Sequence, residues 1–232
     1  MDRPLPSLRW IRPPHQERTR RSLVRFLDAA EALIAEKGFD DTSIGEIARR
    51  AGSSVGGFYR RFNDKDGLLQ ALHERFCEEA RATADDALDP ARWEGAPLAR
   101  MVGAVVTFLV AITRERAGLV RAIALREAGD PALRERAQRL QRYVRERLAR
   151  LLLPHADEIG HPEPERGIHF VYALVVAALD RRALLGEGPS AAFEEPDPEL
   201  ACELTRVFLG TLGIRPGEPP TTGRPRASKE TT

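Results

Sequence analysis

Residues 42–68 read TSIGEIARRAGSSVGGFYRRFNDKDGL, and the punctuation of this stretch decides the fold. Ser43-Ile44-Gly45-Glu46 has the spacing of a capping box, in which a hydroxyl and a carboxylate satisfy orphan backbone amides. Ile44, Ile47, Ala48 and Ala51 then recur at helical spacing and predict a helix of about two turns. Ala51-Gly52-Ser53 breaks it. Ser54 is placed to cap a second short helix, which presents Val55, Phe58 and Phe62 inward. Asn63-Asp64-Lys65 opens a longer helix, with Asp64 as its cap and Leu68, Leu72 and Phe76 as its stripe.

Upstream, Leu23, Phe26, Leu27, Ala30, Leu33 and Ile34 form one apolar stripe. It ends at Gly38, with Lys37 in the last turn, as a glycine cap and the helix dipole favour. Residues 1–17 carry Pro4, Pro6, Pro13 and Pro14 without periodicity and are expected to form a flexible basic arm. Downstream every stripe is helical and no alternating strand pattern appears, so the expected fold is all-α. Met101, Val102, Val105, Leu109 and Ile112 mark one helix, and Leu119, Ile123 and Ala124 a second. A third covers 131–153, with an Arg- and Glu-rich face that reads as solvated scaffold. A loop from Pro154 to Pro164 precedes two last helices, at 166–186 and 197–212. The first of these is apolar nearly all round, so it must be covered on more than one side. The Pro-rich tail 214–232 is expected to be disordered.

With 232 residues, 42% hydrophobic and 31% charged, the chain is large and apolar enough to fold without staples. Two cysteines make no disulfide framework and no zinc spacing, which fits a reducing compartment. No run of about 20 apolar residues is present, and the N-terminus lacks a secretory apolar stretch, so neither a membrane span nor secretion is expected. The expected location is the cytoplasm, on the nucleoid. Net charge is only +1, yet the first 25 residues hold seven arginines against two acids. The basic residues are almost all arginine, the mark of a GC-rich genome; only Lys37, Lys65 and Lys229 are lysine.

Two short helices joined by a glycine turn make a helix-turn-helix, whose second helix enters the major groove while the first crosses the DNA backbone. The stretch from Thr42 to Leu68 closely resembles the N-terminal domain of TetR-family transcriptional regulators, over about residues 18–72. Thr42, Ile47-Ala48, Ala51-Gly52, Ser54, Gly56, Phe58-Tyr59, Phe62, Lys65 and Leu68 fall at that family's spacing. The resemblance implies a helix-turn-helix domain at 18–64 and a helical ligand-binding and dimerisation domain at 65–213. It also implies the DNA contacts. Tyr59 is the phosphate-contacting phenol, and Lys65, at the N-terminus of its helix, clamps a phosphate. Thr42 and Ser43 stand where hydroxyls and free amides either meet a phosphate or simply cap the helix. Ser54 caps or touches phosphate, and Gly56 lets the backbone approach the groove. Arg61 lies near the DNA backbone, Arg60 reads as solvated, and Arg18, Arg20 and Arg21 either steer the arm or are solvated.

Three departures matter. Ser53 stands where the family commonly has Val, Val55 where a base-reading polar side chain is frequent, and Gly57 where a small hydroxylated or methyl residue is usual. Val55 offers only apolar contact, for instance to a thymine methyl. Gly56-Gly57 costs the recognition helix up to roughly 1 kcal/mol per glycine against alanine. The helix is therefore expected to order fully only on DNA, with backbone contacts and DNA shape supplying much of the affinity.

The resemblance further implies a homodimer through the last two helices that binds a palindromic double-stranded operator, most often as a repressor, and releases it on binding a small molecule. An apolar effector is expected in a pocket near Trp93, Met101, Phe108, Tyr143, His169 and Tyr172. No cofactor and no metal are expected. Two rivals stay open. The cluster His155, Asp157, Glu158, His161, Glu163 and Glu165 has metal-ligating groups, although prolines break its helical spacing and it reads better as a solvated loop than as an enzyme centre. The other rival keeps the fold but acts as a non-specific architectural DNA-binding or adaptor protein.

Overall fold

The computed structural model of the chain describes residues 17–186 and 196–214, with side chains from Arg20 onward, and every regular element among them is helical. α1 (Glu17–Lys37), α2 (Ile44–Arg50) and α3 (Val55–Tyr59) precede α4 (Lys65–Ala87). The sequence signals act as read. Ser43 closes its capping box with Glu46, Ser54 Oγ accepts from the Gly57 amide, and Asp64 caps α4 by accepting from Gly67. Gly52 carries φ +61°, a conformation that costs any L side chain energy, and the Ser53 amide donates back to Ala48 O at 2.9 Å.

α1 to α3 close around an aromatic centre. Phe26 meets Phe58 and Phe62 edge-on at 5.9 and 6.2 Å, and all three rings are fully buried. Each such pair adds about 0.5–1.5 kcal/mol beyond its buried area. Leu68, Leu69, Ala71 and Leu72 of α4 complete this core.

The remaining helices are α5 (Leu98–Glu115), α6 (Ala117–Glu127), α7 (Pro131–Leu152), α8 (Pro164–Leu185) and α9 (Asp197–Leu212). A second core joins the far end of α4, through Ala84 and the capping residue Leu88, to α5, α7, α8 and α9. The boundary at 64/65 is not a gap between cores. Leu119, Ala122 and Ile123 of α6, with Leu133 of α7, pack into the N-terminal core. Gly118 makes this possible, because a Cβ there would lie 2.7 Å from Ile34 O on α1. A charged seam follows the same junction. Arg75 of α4, only 1% exposed, pairs with Asp28 at 2.7 Å and Glu31 at 2.6 Å, while Arg116, between α5 and α6, pairs with Glu31 and Glu79.

Several expectations are corrected. Val55 does not turn inward but is 46% exposed, because Phe58 and Phe62 already fill the space beneath α3. Ile214 belongs to the second core instead of the tail. The stretch after Pro154 is partly ordered as a 3-10 turn, Leu153–Glu158. α8 buries Val171, Tyr172, Val175 and Leu179 but leaves Phe170 and Leu174 exposed on its other side. The expected arm and tail otherwise lie outside the described residues, as does the side chain of Arg18.

Candidate nucleic-acid interface and effector cavity

The exposed positions of α3 are Val55, Gly56 and Tyr59, and Val55 and Tyr59 share a face by their four-residue spacing. Tyr59 is half exposed, with its ring edge against buried Phe58 at 5.5 Å, so packing fixes the ring while the phenol faces outward. Gly57, expected with Gly56 among the DNA-contacting positions, is corrected: it is buried, with Ser53 Oγ over it, and presents nothing outward. Arg61 is half-buried: Nη1 donates to Gly57 O at 2.9 Å and the guanidinium lies 5.6 Å from the Phe26 ring centroid. Burial first, then Arg60 and Arg25, lowers its pKa, which marks a local excess of positive charge beside α3.

Ser43 is exposed at the start of α2, yet its hydroxyl is spent on the cap: it accepts from the Glu46 amide at 3.2 Å and donates to the Glu46 carboxylate at 2.7 Å. Lys37 at 2.6 Å and then Ser43 pull the Glu46 carboxyl down to about 2. Thr42 is a clearer correction. Only 1% exposed, it donates its hydroxyl to Gly38 O at 2.7 Å, so it ties the α1–α2 turn together and presents no group outward. Lys65 is part-exposed, with Nζ donating to Asp40 O at 3.0 Å and lying 4.5 Å from the Phe39 ring centroid. Burial is the main cause that lowers its pKa, and Asp40 opposes it. Arg20 and Arg21 are exposed at the start of α1.

A cavity of about 730 Å³ lies among α4, α5, α6, α7 and α8. Phe76, Trp93, Phe108, Ile112, Val144 and Leu179 give it apolar walls. Of the pocket residues expected from sequence, Trp93, Phe108 and Tyr172 line it. Met101 does not: it is 1% exposed within the second core. Tyr143 turns its hydroxyl to Asp85 at the surface, and His169 sits on α8 outside the lining. Tyr172 donates to Gln141 Oε1 at 2.8 Å, and burial pushes its phenol pKa up. Sequence reasoning missed the polar part of the lining, which includes His73, Glu79, Arg116, Glu127 and Asp180 together with Arg134, Arg142 and Arg145. Burial raises both Glu127 and Asp180 above the ordinary carboxylate range, and Asp180 reinforces this at Glu127. Its signal was a charged residue recurring inside an otherwise apolar stripe.

Among the described residues no group of three or more His, Cys, Asp or Glu is placed to hold a metal ion. His155 pairs with Glu158 at 3.3 Å, and His161 Nδ1 accepts from the Glu163 amide. Among the same residues no helix is long and apolar enough to cross a membrane.

The sequence model of bacterial regulatory proteins of the tetR family matches residues 26–72, and that of the tetracyclin repressor-like C-terminal domain matches residues 97–212. The HTH-type transcriptional regulator AcrR of Shigella flexneri is 30% identical over 118 residues, 49% of this chain and 54% of that protein. An uncharacterized HTH-type transcriptional regulator of Haemophilus influenzae is 48% identical over 59 residues, 25% of this chain and 27% of its own. The chain spans about a quarter to about half the length of the curated relatives it matches. Among solved structures, a transcriptional regulator from Rhodococcus sp. Rha1 superposes with a TM-score of 0.64 at 25% identity, covering 84% of this chain and all of that one. A TetR-family protein from Mesorhizobium loti MAFF303099 shares the fold with a TM-score of 0.66 at 19% identity, covering 84% of this chain and 98% of that one. Both domains match in one chain and in the same order, and the chain belongs to the TetR family of bacterial regulatory proteins.

Proposed function

We propose that the protein is a DNA-binding transcriptional regulator of the cytoplasm and nucleoid, a homodimeric repressor that holds a palindromic operator and releases it when a small apolar molecule fills the cavity. One observation carries this reading: α4 begins at the phosphate-seeking Lys65 and runs on to form a wall of the cavity through Phe76, Thr83 and Ala87. A ligand that favours one placement of α4 over another changes DNA affinity by that difference. Tyr59, Lys65 and Arg61 hold the phosphates, Ser43 and Ser54 present helix N-termini to them, and Val55 with Gly56 meets the groove. Exposed Phe170, Leu174 and Val207, on α8 and α9, support pairing of the last two helices between protomers. Such a pair sets two recognition helices about one DNA turn, roughly 34–36 Å, apart.

The test is a footprint on the DNA flanking the protein's own gene at one stated salt concentration, with the Tyr59→Ala/Lys65→Ala variant alongside. A protected palindrome that disappears in the variant is the expected result. A second reading, non-specific DNA binding, draws on Val55 and Gly56, which offer no polar side chain to a base edge. Competition with unrelated DNA separates the two, because a regulator keeps a specificity gap of about 10³ or more. We further expect the amides of residues 54–61, above all Phe58, Arg60 and Arg61, whose hydrogen bonds close α3, to exchange rapidly in the free protein and slowly on DNA. Strong protection without DNA would show that α3 is fully formed beforehand.

A further inference from the structure

Lys65 stands in acidic surroundings. Asp40, Asp41 and Asp66 all favour its charged form, and its Nζ is held to the Asp40 carbonyl. An ammonium among three carboxylates is a poor phosphate ligand, since any of them competes with the phosphate and all of them repel it. One cation offsets this, and it comes from α6, 61 residues further along the chain. Arg126, in the last turn of α6, donates Nη2 to the Asp40 carboxylate and places Nε 3.7 Å from Asp66 Oδ1. Its guanidinium lies 4.5 Å from the Phe39 ring centroid, the same distance as the Lys65 ammonium, and Phe39 is 5% exposed. A buried ring thus fixes both cations, while Arg126 occupies the carboxylates that would otherwise draw Lys65 in.

We propose that Arg126 is a positioning residue for the DNA-contacting ammonium of Lys65, holding the Asp40 and Asp66 carboxylates away from it. This rests on the reading of Lys65 as a phosphate contact. It gives DNA affinity a dependence on where α6 stands, because Val120, Ile123, Ala124 and Glu127 of that helix line the cavity.

The experiment measures the salt dependence of binding to mixed-sequence duplex DNA for the wild type, Arg126→Ala, Lys65→Ala and the double variant. Arg126→Ala is expected to weaken binding about tenfold and to lower the salt slope by about one unit, as loss of one phosphate contact does. The double variant is expected to bind no worse than Lys65→Ala. Asp40→Asn/Asp66→Asn placed in the Arg126→Ala background restores affinity, and Arg126→Lys keeps most of it. Additive losses in the double variant overturn the proposal, since Arg126 is then a phosphate contact in its own right; so does failure of the Asn changes to restore binding. A second readout needs no DNA: ¹⁵N titration of the Lys65 ammonium moves upward in Arg126→Ala when the guanidinium is removed, and an unmoved titration overturns the proposal. A wild type that does not bind duplex DNA defeats the reading of the interface and leaves this titration to decide the role of Arg126.

Discussion

Ser53 Oγ occupies the space that a Cβ on Gly57 would need. These two positions are separate departures from the family pattern in sequence, yet in the fold they are one packing solution. A hydroxymethyl reaches over from the turn into the gap that the missing side chain leaves in α3.

Gly57→Ala alone therefore forces the Ser53 side chain to rotate and gains little, whereas Ser53→Ala/Gly57→Ala removes the conflict. The double variant is expected to be up to about 1 kcal/mol more stable than the wild type, from the helix preference of alanine over glycine. A double-mutant cycle by urea unfolding reads the coupling, and additive effects would show that the two side chains do not compete.

Much of this region was legible because its signals are local. Ser43, Ser54 and Asp64 act within three residues of themselves, and a hydroxyl or carboxylate before a helix has few other uses. Phe58 was legible as core from its spacing, while Tyr59 was placed at the surface only by the family resemblance. The cavity was not, because its lining is set by which of several apolar stripes face each other. Met101 and Phe108 sit on the same helix, but one is sealed in the second core and the other opens on the cavity. Val55 failed for a related reason: an apolar residue at helical spacing reads as core unless the volume beneath is already known to be full. The partnership of Lys65 with Arg126 spans 61 positions and leaves no local trace.

Thr42 supplies a direct contrast with Tyr59 on the exposed side of α3. Thr42→Val keeps the shape and deletes the hydroxyl that donates to Gly38 O, which is expected to cost about 1 kcal/mol of stability. DNA affinity of the folded protein should hold. Tyr59→Phe should do the reverse, weakening DNA binding while leaving unfolding within about 0.5 kcal/mol of the wild type, since it keeps the ring against Phe58 and deletes only the hydroxyl of a half-exposed side chain. Urea melts paired with binding titrations check both, and a Thr42→Val protein that is stable but blind to DNA would return Thr42 to the interface.

Arg75 tests the seam between the domains. Its guanidinium is 1% exposed and balanced by Asp28 and Glu31. Asp28→Asn/Glu31→Gln leaves that buried charge uncompensated and is expected to cost about 3–5 kcal/mol. Arg75→Met, which removes the charge and fills the space, is expected to cost less, because Glu31 keeps Arg116 at 3.1 Å and Asp28 is half exposed. A small loss from the isosteric pair beside a larger one from Arg75→Met would place the energy of the seam in packing instead of charge.

His73 links the cavity to the base of α4 and sets a pH dependence. It is 2% exposed, and its Nδ1 lies 3.3 Å from Arg136 Nη1, which also donates to Gln70 Oε1 at 3.0 Å. Facing a guanidinium, Nδ1 is the acceptor, so the ring is neutral and carries its proton on Nε2. Burial first and Arg136 second lower its pKa from 6.5 to about 3. The unfolded chain takes up this proton as pH falls through 6.5, while the folded chain declines it until about 3. In that window the unfolded state binds more protons, so stability is lost on acidification, by at most about 1.4 kcal/mol per pH unit for one proton. His73→Gln keeps an acceptor for Arg136 and removes the titration. The difference in stability between wild type and variant, followed by urea unfolding from about pH 7 to about pH 4, should therefore shift in favour of the variant as pH falls. Burial at Glu127 and Asp180 has the opposite sign, since carboxyls with raised pKa values are favoured by acid in the folded state, but both are present in the two proteins and cancel in the difference. A flat difference would mean that His73 is protonated in the fold, with Arg136 turned away from it.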